Sequence, residues 1–204
     1  MKDGYDVLKW YYQEAYQNNY KPDEPQYVGW YDKDSQIKRF DELIKIGISN
    51  NHTILDYGCG TGDFLGYLTS KNIRVKYYGL DINEEYIRLA KQKYPDVIFY
   101  NGDVIDIDPK TPKVDWITAS GTFNVMVPED WMLFRISICT KLVKRGVAFN
   151  LLKSSEDPNQ LVPYNPDEIK IKMIKSFPDF NVQIIEGYLE DDFTIYLTKK
   201  IIEF

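Results

Sequence analysis

From residue 53 onward, short apolar runs alternate with amphipathic stretches. The runs 53–57, 74–80, 97–100, 114–119 and 146–150 have the length and the β-branched or aromatic content of strands. Between them, 63–70, 83–93 and 129–144 space their apolar residues as helices do. Asn83 precedes Glu84 and Glu85, a cap followed by acids in the first turn. This alternation predicts a parallel sheet with helices on both faces. After residue 150 the order changes. A helical stretch near 166–176 leads to two strand-like runs, 181–186 and 192–198, joined by Gly187-Tyr188-Leu189-Glu190-Asp191. That spacing predicts an antiparallel hairpin. The expected fold is therefore α/β: a doubly wound, seven-stranded, mostly parallel sheet with one antiparallel strand.

The first 34 residues read differently. Tyr5, Trp10, Tyr11, Tyr12, Tyr16, Tyr20, Tyr27, Trp30 and Tyr31 crowd a stretch in which 5–18 suits one helix, broken by Pro22 and Pro25. Residues 1–34 are expected to form an N-terminal aromatic helical extension or lid, and 35–204 the main domain. Asp34 or Ser35 is the expected cap of a second helix, which runs to Ile46 and closes at Gly47. The irregular stretch 153–165, with Pro158 and Pro163, follows the fifth strand and should overhang the ligand edge of the sheet.

Composition narrows the class. The chain has 204 residues, 44% hydrophobic and 27% charged, with a net charge of −6. That suits one domain with a terminal segment, and the acidic balance argues against a broad nucleic-acid face. Cys59 and Cys139 are the only cysteines, so neither a disulfide framework nor a zinc site is expected, and no metal site is assigned. The start, Met1-Lys2-Asp3-Gly4-Tyr5, lacks a signal-peptide core. No apolar run approaches the ~20 residues that cross a bilayer. A cytoplasmic location with no membrane partner is the expectation.

The candidate chemistry lies at the strand ends. Ile54-Leu55-Asp56-Tyr57-Gly58-Cys59-Gly60-Thr61-Gly62-Asp63-Phe64 is a short apolar run, an acid, three alternate glycines and a helix start. Glycines permit positive φ and close approach of a ligand, and helix N-terminal N–H groups offer an electropositive cradle. Asp81 ends the second strand, followed by Ile82, where an acid can accept from a ribose diol. Asp103 and Val104 follow the third strand, and an acid there can accept from an adenine amine. Ser120-Gly121-Thr122-Phe123-Asn124 follows the fourth. A nicotinamide fingerprint, G-x-G-x-x-G, fits Gly58 and Gly60, but its third position is Asp63.

These residues together resemble the class I S-adenosylmethionine-dependent methyltransferases, whose first motif reads acid-x-Gly-x-Gly-x-Gly; Asp56 to Gly62 matches every fixed position. The resemblance covers roughly residues 35–200. It implies the Rossmann-like methyltransferase fold, S-adenosylmethionine as cofactor and a cofactor site built from Asp56, Gly58, Cys59, Gly60, Gly62, Asp81, Ile82, Asp103, Val104 and Ser120. In the family, the acid ending strand two binds the ribose, the acid after strand three binds the adenine amine, and the segment after strand four faces the methyl group. The Pro-Pro-Tyr or Pro-Pro-Phe signature of amino-methylating nucleic-acid enzymes is absent here.

The implied reaction is in-line displacement at a sulfonium methyl, which rests on alignment and exclusion of water. Aromatic faces attract the sulfonium, a role for Tyr11, Tyr12, Tyr20, Tyr27 and Trp30. The single histidine, His52, precedes the first strand and so sits at the wrong edge to be a base. Thr122, Asn124 and Tyr11 are the catalytic candidates, and the general base is unassigned. A small-molecule acceptor is the expected partner. RNA or protein methylation, a non-catalytic cofactor-binding regulator and a nicotinamide-dependent reductase are the alternatives. The oligomeric state and the accepting atom are open at this point.

Overall fold

The computed structural model describes residues 8, 10–13, 19–125, 128–155 and 161–200. Seven strands form one sheet: β1 Thr53–Tyr57, β2 Lys76–Asp81, β3 Ile98–Asn101, β4 Val114–Ala119, β5 Val143–Leu152, β6 Phe180–Ile185 and β7 Asp192–Lys199. Their order is β3-β2-β1-β4-β5-β7-β6. β1 to β5 pair in parallel, and β7 runs antiparallel to both β5 and β6. The order reverses between β1 and β4, which opens a crevice at their carboxyl ends.

Side chains alternate across this sheet, so each strand feeds two cores. Leu55 and Tyr57 of β1 join Ile117, Phe149, Phe193 and Ile195 on one face, under α4 (Glu129–Leu142) and α5 (Pro166–Ser176). Ile54, Tyr77, Phe99, Trp116 and Ala148 face the other way. They pack beneath α1 (Lys33–Ile44), α2 (Asp63–Ser70) and α3 (Glu84–Lys93). The expected architecture is present, including the closing hairpin.

Local chemistry sets several boundaries. Asn83 caps α3, accepting from the N–H groups of Glu85 and Tyr86; Asn165 caps α5 in the same way, with Pro166 following it. The cap of α1 is Asp32, earlier than Asp34 or Ser35: its carboxylate accepts from Ser35 N at 2.6 Å. Ser35 supplies the N–H rather than the cap. α1 ends at Ile44, and Gly47 follows with φ +118°. α4 runs directly into β5, so that strand starts at Val143, three residues before the apolar signal.

Of the aromatic N-terminal stretch, Leu8 and Trp10–Tyr12 are helical, while 1–7, 9 and 14–18 lie outside the described residues. Pro25–Val28 forms a 3-10 turn closed by Gly29 at φ +87°.

Candidate active site

The glycine turn is held by the strand beside it. Gly58, Gly60 and Gly62 all have positive φ, at 76°, 53° and 82°, a conformation that costs other residues about 1–2 kcal/mol. Gly58 N and Cys59 N donate to Leu80 O, Gly60 N donates to an Asp81 carboxylate oxygen at 2.8 Å, and Gly62 N donates to Cys59 O. These four N–H groups are spent inside the protein. The turn's contribution is therefore space rather than a cradle of donors. A Cβ on Gly58 would collide with the Thr122 side chain, and one on Gly60 would press Val28 at 3.3 Å.

Asp81 sits at the end of β2, 8% exposed. It accepts from Gly60 N and, at 2.8 Å, from Asn83 N. A carboxylate has further lone pairs, and burial raises the Asp81 pKa to about 6 against those two bonds. An undersolvated acceptor facing a cavity is what a ribose diol needs. Asp56 is equally buried, and desolvation raises it to about 6 although Tyr77 and Thr118 donate to it. Its bonds tie β1 to β2 and β4.

A cavity of about 1110 Å³ opens over these strand ends. Of the expected cofactor residues, Asp56, Gly58, Cys59, Gly60, Asp81, Ile82 and Ser120 line it. Thr122, Asn124 and Tyr11 also line it. Thr122 Oγ1 donates to Tyr57 O at 2.8 Å, and Ser120 Oγ donates to Asn150 Oδ1 at 2.7 Å. Asn124 is 7% exposed, and its Oδ1 is buried without a donor among the described residues. Tyr12, Tyr20, Trp30 and Trp131 add aromatic wall. Tyr27 lies behind it, packed on Tyr86 at 5.6 Å between ring centroids.

Three expected cofactor residues are not in the wall. Gly62 is the N-cap of α2, and a Cβ there would meet Tyr94 and Phe99. Val104 is fully buried. Asp103 is 1% exposed and engaged on both oxygens: Tyr57 OH and Val104 N donate to Oδ1, and Arg135 donates to Oδ2 at 2.6 Å. Its acceptors are engaged inside the core, and the carboxylate lies outside the cavity wall.

The structure also brings in residues that the sequence pattern did not mark. Arg39 of α1 lines the cavity, pairs with Asp192 at the start of β7 and stacks over Trp30 at 4.9 Å. Nothing in a helical stretch with alternating charges singles out that arginine. His52 lies at the opposite edge, accepting from Trp116 Nε1 at 3.1 Å.

Residues 54–146 match the family model described as a methyltransferase domain. The chain carries a methyltransferase domain on a Rossmann-like fold. It is an enzyme of methyl transfer, and solved structures that share its fold hold SAM. A Mycobacterium tuberculosis protein that bears a methyltransferase name, Rv1506c, is 27% identical over 122 residues, 57% of this chain and 72% of that one. Trans-aconitate 2-methyltransferase from Azoarcus sp. is 30% identical over 102 residues, half of this chain and 40% of the relative. Against that relative the chain therefore aligns over less than half of its partner's length. Among solved structures, magnesium protoporphyrin IX methyltransferase from Synechocystis PCC 6803 with bound SAM superposes with a TM-score of 0.69. It is 14% identical, and the match covers 98% of this chain and 99% of that one. At that identity the likeness concerns the fold. This methyltransferase has no helix among the described residues long and apolar enough to cross a membrane.

Proposed function

We propose that this methyltransferase acts on a small-molecule acceptor that lies in the same cavity as the cofactor, beside the loops after β4 and β5. The cavity carries this reading. Single-ligand pockets run to roughly 300–1,000 Å³, and about 1110 Å³ leaves space for the cofactor and a compact acceptor side by side. The names of the Azoarcus and Synechocystis proteins, whose acceptors are small molecules, support the same reading.

In this arrangement Asp81 accepts from the ribose hydroxyls, Ile82 flanks the nucleoside, and the absent side chains of Gly58 and Gly60 let it settle on the turn. The cofactor supplies a methyl group on a positively charged sulfur. Tyr11, Tyr12, Trp30 and Trp131 exclude water from that position and present π faces to the charge, a contact worth ~0.5–2 kcal/mol. Tyr11, Tyr12, Tyr20 and Trp30, all before α1, act as the lid. Thr122 keeps its hydroxyl proton on Tyr57 O and so holds the shape of the β4 loop. Asn124 offers its Oδ1 to an N–H or O–H of the acceptor, which orients a lone pair toward the methyl group.

The test is a product search. The protein is incubated with methyl-labelled cofactor and a metabolite extract, then the label is followed in small-molecule, RNA and protein fractions. Label in the small-molecule fraction, lost in Asp81→Ala, is the expected result. Label confined to RNA or protein overturns the reading.

A further inference from the structure

The described cavity wall contains four aspartates, Asp56, Asp63, Asp81 and Asp191, and one cationic side chain, Arg39. Arg39 is the second of three α1 residues in the wall, after Gln36 and before Phe40. Its guanidinium is held on two sides. Nε donates to Asp192 Oδ2 at 2.7 Å, and Nη2 reaches the same oxygen. The indole of Trp30 lies beneath it at 4.9 Å, and that ring in turn sits 3.4 Å from where a Cβ on Gly121 would be, in the loop after β4. Asp192 is wholly buried, and its second oxygen has no donor among the described residues.

A guanidinium carries five N–H donors in a fixed fork. Asp192 takes the Nε and Nη2 side, so among the described residues the Nη1 end keeps its donors, on a group that is itself cavity wall. An arginine fixed by a buried acid and a stacked ring loses little freedom on accepting a second carboxylate, and the end-on geometry suits a bidentate pair. Asp192 also neutralises the charge when the site is empty, which explains how an arginine is kept beside an aromatic wall without an anion.

We propose that Arg39, braced by Asp192 and Trp30, is the carboxylate receptor of this cavity. Position bears on the source of that carboxylate. Asp81 ends β2 and Asp192 begins β7, four strands away in the order β2-β1-β4-β5-β7. At roughly 4.8 Å per strand this is about 19 Å, with the arginine reaching back toward the loop after β4. The aminoacyl carboxylate of the cofactor and a carboxylate on the acceptor present the same chemistry there. The acceptor arm rests on the small-molecule reading above; the cofactor arm does not.

The experiment compares wild type with Arg39→Lys, which keeps charge without the fork, and with the double variant Arg39→Gln/Asp192→Asn, which removes both charges so that no buried acid is left unpaired. Calorimetric titrations use S-adenosylhomocysteine, then 5′-methylthioadenosine, which lacks the aminoacyl carboxylate, then succinate added to protein saturated with S-adenosylhomocysteine. A loss of at least tenfold for S-adenosylhomocysteine in both variants, with 5′-methylthioadenosine unchanged, supports the receptor and assigns it to the cofactor. Unchanged binding of both nucleosides, with succinate binding to wild type and lost in the variants, supports it and assigns it to the acceptor. Equal weakening of both nucleosides, or no difference with any probe, overturns it. The titrations read Arg39 by difference between variants, and the product search reads the acceptor class, so the two readings fail separately.

Discussion

Arg135 of α4 donates to Asp103 Oδ2 at 2.6 Å, with side chains only 5% and 1% exposed. Tyr57 OH closes the cluster on the other oxygen at 2.6 Å, and the Arg135 guanidinium lies 3.3 Å from the centre of the Trp131 ring. One buried pair thus joins β1, the turn after β3, and the helix that carries part of the cavity wall. Breaking such a pair from one side leaves an uncompensated buried charge.

Asp103→Asn should therefore lower unfolding stability by roughly 3–5 kcal/mol, measured by urea denaturation. Its effect on recognition should be different. The ratio of affinities for S-adenosylhomocysteine and S-inosylhomocysteine, which lacks the exocyclic amine, should be the same in wild type and variant. A ratio that collapses in Asp103→Asn would return this acid to the adenine.

Asp81→Ala should weaken S-adenosylhomocysteine by about 1–3 kcal/mol, roughly 5–150-fold, since the ribose hydroxyls lose a buried acceptor. Calorimetric titration measures this, and equal affinity for both proteins removes Asp81 from the site.

The same acid makes binding pH-dependent. Burial raises the Asp81 pKa to about 6. The ribose hydroxyls donate, so they favour the ionised form. The dissociation constant for S-adenosylhomocysteine should fall as pH rises toward about 6 and level off above it. A flat profile between pH 5 and pH 8 contradicts this, and Asp81→Asn should show that flat profile.

Asp56 acts on stability with the opposite sense. Its folded pKa, about 6, lies above the ordinary 3.8, so the folded state holds the proton more tightly than the unfolded one. Its contribution is complete below the unfolded value and is lost as pH rises through about 6. The difference amounts to roughly 3 kcal/mol. Urea midpoints for wild type should drop between pH 4 and pH 7, and Asp56→Asn should remove its share of that drop, leaving the share of Asp81, which burial raises to the same value.

Gly58→Ala tests the turn itself. With φ at +76° and Thr122 in the way of a Cβ, the substitution must displace the Thr122 bond to Tyr57 O. It should lower thermal stability and abolish measurable S-adenosylhomocysteine binding, both visible in a thermal-shift titration.

Much of this architecture is legible in the sequence because it is local. β1, β4, α2 and α5 fall where the apolar periodicity puts them, since a strand of five or six residues between glycines, or a helix opened by Asn165-Pro166, is specified by neighbours a few positions apart. β5 was foreshortened because Val143 continues from α4 without a turn residue to mark the change. The site divides in the same way. Asp81 is readable from its place at a strand end. Asp103 has the same placement in sequence, yet its partner is Arg135, 32 residues on, and only the packing of α4 shows that its oxygens are taken. Arg39 and Asp192, 153 residues apart, carry no local signal at all.

Because β7 runs against its neighbours, it delivers its first residue, not its last, to the rim of the cleft. Asp191 therefore reaches the cavity through the turn of a terminal hairpin, and Asp192 lies buried just behind it against Arg39. A lineage can lengthen, shorten or recharge that turn without disturbing the nucleotide half of the enzyme, so a change of acceptor can be written far from the glycine turn, near the end of the chain.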